Sequence, residues 1–408
     1  LNPTIETQPR DLAVLPYYNQ DVEKKEAEIN QAADGLVFVA AADWNAYERS
    51  WDFQSLPLLT ASSDPAPTLE SSYTAWITQN RDTIAEMKRL EEENNRLFID
   101  AYGLADELTP DVPIEQITLT VNPAYRYGGK LTVEEQWTRF RQDTMEELVS
   151  YAIGCMMGRY SLDAPGLILA NTGESVEDYE RIVKEKRVAS GEMREGEDFE
   201  FSFNPDEDNV IPILDGEWFT DDISERFKTF LKAAYGTDNF EQNLKYLEDG
   251  LYPTNATART RKTIRDYFLK DFYGSHVQTY KKRPIYWLFS SPKGTFNALI
   301  YLHRYRPDTV SVILNDYLRE FQTKLKATVD HEQTVADSAS ASQSDKTKAL
   351  KRITQLKKDL KELEDYERDV LYPLATQRLE IDLDDGVLVN YNKFGKALKK
   401  VTGLTGKA

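Results

Sequence analysis

Cysteine is nearly absent. Cys155 stands alone in 408 residues, which excludes an internal disulfide framework and points to a reducing compartment. Histidine is almost as scarce, at three residues, so little is left from which to build a zinc site. No apolar run is long enough to cross a bilayer; the longest, Gly35 to Ala42, falls far short of the roughly 20 residues needed. The chain opens without a basic-then-apolar leader and without Met, and its Pro-interrupted start, Leu1 to Tyr18, reads as extended chain entering from something upstream. These absences give the expectation of a cytoplasmic protein with no membrane partner.

What is present is an ordinary globular composition, 40% hydrophobic and 29% charged, enough for two or three domains. The formal charge of −19 argues against nonspecific coating of nucleic acid by the whole surface. That average hides an asymmetry. The window from Ala256 to Arg306 holds eleven basic residues against Asp266 and Asp271, a net of +9, and the remainder carries −28. Charge segregated in this way focuses an anionic ligand on one face.

Along the chain, Asp21 to Ala33 favours helix, and Asp64-Pro65-Ala66-Pro67 forbids it. Tyr73, Ile77, Ile84, Met87, Leu90, Leu97 and Phe98 recur near the helical period, predicting a long helix that ends at Gly103. Such a helix serves either as a spacer arm or as one member of a bundle. The alternating stretch Ile114 to Val121 predicts a strand, and Gln136 to Met157 a helix. Gly173 to Asp208 is polar and acidic and reads as a mobile loop or an insertion. Asp221 to Leu251 gives two helices broken at Gly236. Thr260 to Tyr273 reads as a basic amphipathic helix, Pro284 to Phe289 as an aromatic strand, and Phe296 to Tyr305 as a buried segment.

Val310 to Val329 places Ile313, Tyr317, Phe321 and Leu325 four apart. After the polar stretch His331 to Ser344, Leu350, Ile353, Leu356, Leu360, Leu363 and Val370 form a heptad-like seam, with Tyr366 near it. Two such helices predict an antiparallel hairpin. Leu379 to Leu383 and Val387 to Tyr391 alternate around Asp384-Asp385-Gly386, which predicts a β-hairpin.

Few constellations carry chemistry. Asn122-Pro123-Ala124-Tyr125 approaches the Asn-Pro-Pro-Tyr loop with which amino-methyltransferases grip a flipped base, but Ala replaces the second Pro and no glycine-rich cofactor loop accompanies it. It reads as a structural turn. Asp382 to Gly386 resembles a calcium loop, with Gly one position early and no closing Glu. Cys155 sits in an apolar run and reads as a buried, inert thiol. No nucleophile elbow is present. No catalytic, cofactor or metal residue is therefore assigned.

The basic window differs because aromatics interleave with its charges: Tyr267, Phe268, Phe272, Tyr273, Tyr280, Tyr286, Trp287, Phe289, Tyr301 and Tyr305. Cations grip phosphates, and aromatics stack on bases. Alternatively the aromatics are core and the cations a solvated face. The DNA-binding candidates are Arg259, Arg261, Lys262, Arg265, Lys281, Lys282, Arg283, Tyr286, Lys293 and Arg304.

Five stretches, in order, resemble the C-terminal half of the PglX family, the adenine-specific DNA methyltransferases of BREX phage defence. They are Tyr47-Glu48-Arg49-Ser50-Trp51-Asp52-Phe53 with Leu56-Pro57-Leu58-Leu59; Leu90-Glu91-Glu92-Glu93-Asn94-Asn95-Arg96-Leu97-Phe98 with Tyr102-Gly103-Leu104; Ser150-Tyr151-Ala152-Ile153-Gly154-Cys155-Met156-Met157-Gly158-Arg159-Tyr160-Ser161-Leu162-Asp163; Lys282-Arg283-Pro284-Ile285-Tyr286-Trp287-Leu288 with Ser291-Pro292-Lys293-Gly294 and His303-Arg304-Tyr305; and Asp382-Leu383-Asp384-Asp385-Gly386-Val387 with Asn390-Tyr391. The resemblance implies a parent enzyme that uses S-adenosylmethionine, with its catalytic loop and cofactor site upstream of Leu1.

The resulting expectation is a mainly helical α+β chain. A linker over residues 1–70 leads to a long spacer helix over 71–110 and a mixed α/β target-recognition region over 111–306. An antiparallel helical hairpin over 307–375 and a C-terminal β-hairpin with a basic tail over 376–408 complete it. The expected partner is double-stranded DNA, held in register for a missing catalytic domain. The alternative is a scaffold that docks other BREX proteins without touching DNA.

Overall fold

The computed structural model describes residues 19–253 and 261–404. The proposed extended start, Leu1 to Tyr18, lies outside them. The described chain is mainly helical with one small antiparallel sheet, and it separates into two compact units. The first comprises the described part of Leu1–Phe53 with Thr60–Ser62 and Ser72–Phe140; the second comprises Gln54–Leu59, Ser63–Ser71 and the described part of Arg141–Ala408.

In the first unit, helix α1 (Glu26–Asn45) occupies ground expected to be linker. Helix α2 (Leu69–Tyr102) is the expected long helix, closed at Gly103 in the left-handed region (φ +67°). The two meet closely at Gly35, where a β-carbon would lie 3.1 Å from Leu90. Ile84 and Met87 form a core with Val112, Ile117, Leu119 and Val121.

The last three residues alternate inward as a strand would, yet the segment is not a strand. Residues Ile114–Gln116 form a 3-10 turn. The backbone groups a neighbouring strand would have satisfied are met by side chains. The Asp43 carboxylate accepts the N–H of Thr120 (2.7 Å) and of Val121 (3.0 Å), and Asn122 Nδ2 donates to the carbonyls of Ile114 and Ile117. Asn122, 1% exposed, also caps α3 (Pro123–Tyr127). The Asn-Pro-Ala-Tyr sequence, expected as a turn, is the capped start of α3.

Helix α4 (Val133–Met156) follows. The expected loop from Gly173 to Asp208 instead contains α5 (Val176–Ala189), started by a reciprocal Ser175–Asp178 capping box. Its acidic first turn and basic last turn suit the helix dipole, so charge that read as loop is helix-stabilising. Strand β1 (Ile211–Pro212) precedes α6 (Ile223–Tyr235) and α7 (Phe240–Leu251), divided at Gly236 as expected.

The expected basic helix is two helices, α8 (Ile264–Lys270) and α9 (Phe272–Thr279), parted at Asp271. Strands β2 (Tyr286–Ser290) and β3 (Asn297–Tyr301) then pair antiparallel, Tyr286 opposite Tyr301 and Ser290 opposite Asn297, giving the sheet order β1-β3-β2. Every residue of β2 and β3 is buried.

The helical hairpin is present as α10 (Arg319–Asp337) and α11 (Gln343–Tyr366). Its buried seam includes Phe321 and Leu325 on one arm, and Ile353, Leu356, Leu360 and Leu363 on the other; Leu350 is exposed and Ala349 buried in its stead. Both helices run further into the stretch His331 to Ser344 than expected, leaving residues 338–342 as the loop. Ser, Ala, Gln and Asp propagate helix without an apolar anchor once the shaft has nucleated it. At its base, each arm passes through a π-helical segment, Ile313–Leu318 and Glu367–Leu371.

The C-terminal β-hairpin is absent. A 3-10 turn at Leu383–Asp385 opens helix α12 (Gly386–Lys393). Asp382 accepts the Asp384 N–H at 3.0 Å, and buried Asn390 donates to Gly386 O, so the Asp-Asp-Gly turn starts a helix instead of reversing a strand. Leu388 and Val389, part of the alternating pattern, remain exposed.

Candidate nucleic-acid interface

The ten candidates divide sharply. Arg259 lies outside the described residues. Arg261 is held by acids, with Nη2 at 2.9 Å from Asp249 and Nε at 3.4 Å from Glu248. Lys262 is exposed, its ammonium 4.5 Å from the centre of the Tyr252 ring.

Arg265 is a structural clamp. Its Nη1 donates to the carbonyls of Leu214 and Gly216, and its Nη2 meets Asp222 at 2.9 Å. Asp222, 1% exposed along its side chain, also accepts the amides of Ser224 and Glu225 and so caps α6. One guanidinium thereby joins the β1 loop to two helices. Arg304 is 4% exposed and donates to the carbonyls of Met157 and Glu207. Tyr286 is fully buried on β2, 4.9 Å from the His276 ring and 5.5 Å from Tyr301. Its ring has no open face for a base, which corrects its assignment as a stacking residue. Arg265 and Arg304 are likewise removed from the expected surface.

The interleaved aromatics follow Tyr286. Tyr267, Phe268, Phe272, Trp287, Phe289, Tyr301 and Tyr305 are all buried; of the alternatives left open by the sequence, core is the one observed for them. The rings of Phe272, Tyr273, Tyr280 and Tyr286 surround His276, whose Nε2 accepts the Tyr286 N–H. Burial, with help from nearby Arg159, lowers the pKa of His276 to about 3 and that of His303 to about 4. Both imidazoles are neutral over the physiological range and contribute no charge to the basic window. Beside Arg304, burial and then neighbouring Asp206 raise Asp208 to about 7. Asp208 also accepts from the Tyr317 hydroxyl at 3.0 Å.

Lys281, Lys282 and Arg283 are exposed, and among the described residues no carboxylate pairs with them. They form the turn that ends α9: Lys282 N–H reaches back to Val277 O at 2.8 Å. That closure puts Lys281 (φ +50°) and Lys282 (φ +64°) in the left-handed region, where glycine is favoured. Two lysines held there keep their ammoniums on the surface at a cost in backbone strain. Lys293 is exposed in the β2–β3 turn, its N–H donated to Glu362 at 2.6 Å.

Residues from the tail, outside the candidate set, join this group. Leu398 bridges antiparallel to Phe289, and Lys399 N–H donates to Leu288 O at 2.8 Å, so the tail runs along the edge of β2. Lys396, Lys399 and Lys400 are exposed there, and the Lys282 ammonium lies beside Gly403. The signal was legible only as a basic tail; nothing in its local pattern said which strand it would join.

No family model matches the chain. Two curated relatives align with nearly all of it. The adenine-specific methyltransferase BrxX of Escherichia coli O9:H4 (strain HS) is 34% identical over 403 residues, covering 97% of this chain and 32% of the relative. The adenine-specific methyltransferase PglX of Lacticaseibacillus casei (strain Zhang) is 32% identical over 417 residues, covering 99% of this chain and 30% of the relative. The chain thus spans about a third of the length of the curated relatives it matches.

Proposed function

We propose that this chain is a DNA-recognition and scaffold portion of a site-specific adenine DNA methyltransferase of BREX phage defence. The observation that carries the reading is the grouping, on one turn and one edge, of exposed cations that have no acid partner among the described residues: Lys281, Lys282 and Arg283 with Lys396, Lys399 and Lys400. Similarity to two adenine-specific methyltransferases supports the parent chemistry. The role is positional. Ammonium and guanidinium groups hold phosphates and fix register, while a catalytic domain elsewhere in such a parent extracts the target adenine.

S-adenosylmethionine belongs, on this reading, to the part of the parent not represented here. The residues at hand fit it poorly: Asn122 is turned inward to hold the carbonyls of Ile114 and Ile117, and the sheet is antiparallel, with no glycine-rich strand-to-helix turn among the described residues.

A scaffold role for other defence proteins draws on a separate observation. Val37, Phe38, Trp44 and Trp51 in the first unit are exposed, Trp51 by 95%. Salt dependence separates the readings. Anisotropy of a labelled duplex, titrated with this chain between 50 and 200 mM salt, should show log K falling with log salt at about 0.9 per phosphate contacted. A flat line sinks DNA recognition and leaves the scaffold.

A further inference from the structure

The turn between β2 and β3 meets helix α11 across a cleft of ≈ 460 Å³, lined by Pro292 and Lys293 from the turn and by Lys357, Lys358, Lys361, Glu362 and Asp365 from the helix. Four lysines and two acids line this one concavity, and the hydrogen bonds of their charged groups show which are committed. Glu362, 8% exposed, has both oxygens engaged: Oε1 accepts the Lys293 N–H at 2.6 Å and Oε2 the Thr295 hydroxyl at 2.5 Å. Asp365 is paired with Lys361 and with Arg368, each at 2.9 Å. Lys293, Lys357 and Lys358 remain, exposed and with no ion pair among the described residues. Like charges gathered in one depression repel, and an anion seated among them reverses the sign of that energy.

We propose that this cleft binds a backbone phosphate of duplex DNA, which makes the helical hairpin a contributor to the DNA face as well as a strut. The inference rests on the DNA-recognition reading above. Three lysines on flexible stems supply point charges without the fixed fork of arginine, which suits a phosphate held at variable angle and not a base edge. Continuity favours DNA over a free phosphate ligand. The cleft sits just beyond the end of β2, and the Lys281–Arg283 turn just before its start, with Lys399 alongside. A five-residue strand spans about 17 Å. That is of the order of one roughly 12 Å major groove together with its flanking backbones. Glu362 couples the turn to α11, so the two walls of the cleft hold a fixed spacing.

The test is the double substitution Lys357→Gln with Lys358→Gln in the whole chain, with circular dichroism to show the hairpin intact. Duplex affinity should fall, and the salt slope should flatten by about 0.9 for one lost phosphate. Duplex binding with an unchanged slope overturns the cleft while leaving DNA recognition standing. No duplex binding by the unsubstituted chain overturns the DNA reading itself. A parallel titration with inorganic pyrophosphate, read at the Lys293 amide by NMR, separates the sources. Saturation there without any duplex binding assigns the cleft to a free phosphate ligand and overturns the DNA assignment.

Discussion

The arginines near the start of α8 and the turn that ends α9 belong to one basic stretch and behave oppositely. At Arg261 and Arg265 the cations meet Glu248, Asp249 and Asp222, and the guanidinium of Arg265 ties a loop to two helices. At Lys281, Lys282 and Arg283 no acid approaches among the described residues, and two side chains are kept on the surface by left-handed backbone. The density of positive charge is similar in both places. What separates a fold-holding cation from one left open on the surface is whether the fold supplies its counter-charge.

Four variants test that division. Arg265→Ala should have the largest effect, about 3–5 kcal/mol of stability, because it leaves the buried Asp222 carboxylate without its cation. Urea denaturation that shows no loss would move Arg265 into the surface class. Lys281→Glu with Lys282→Glu should act in the reverse sense. Stability should stay within about 0.5 kcal/mol, while duplex affinity falls roughly tenfold or more and the salt slope flattens by about two.

The third test concerns the acids around Arg304. Asp208, raised to about 7, binds its proton more tightly folded than unfolded. Its contribution to stability is therefore complete below about pH 4 and is lost as pH rises through 7. Asp208→Asn removes that loss. Relative to the parent chain it should gain on the order of 1 kcal/mol between pH 5 and pH 8, after allowance for solvent screening. Equal pH profiles for the two proteins would show that Asp208 titrates normally. The smallest effect is expected for Lys282→Gly, a gain of about 0.5 kcal/mol from relief of the left-handed conformation, accompanied by weaker DNA binding. A loss of stability would mean that the lysine side chain holds the turn.

Much of the fold could be read in advance wherever periodicity was long. Helix α2, the break at Gly236, the aromatic strand and the hairpin all follow from runs of apolar residues at the right spacing. The misses share a cause. At Ile117, Leu119 and Val121 the alternation was real, but side chains of Asp43 and Asn122 took the place of a neighbouring strand. At Asp382 to Tyr391 a short polar side chain bonding its own backbone turned a hairpin signal into a helix start. In both, a long-range or local acceptor decided the outcome, and no window of sequence displays it. The candidate site divided for the same reason: Arg265 and Lys282 look alike until Asp222 is placed.

The two π-helical segments at the base of the hairpin carry a consequence for its phase. A π turn accommodates one more residue than an α turn, and one residue is about 100° of helical rotation. Ile313–Leu318 and Glu367–Leu371 fall at matching levels of the two arms, bridged by Arg319 and Glu367 at 2.8 Å. Both arms are thus re-indexed together. The residues that meet each other in the shaft and those that meet the rest of the second unit below are drawn from differently oriented stripes of the same two helices. Excising a single residue from one segment would leave the arm equally helical and equally apolar, with its stripe facing the wrong neighbour.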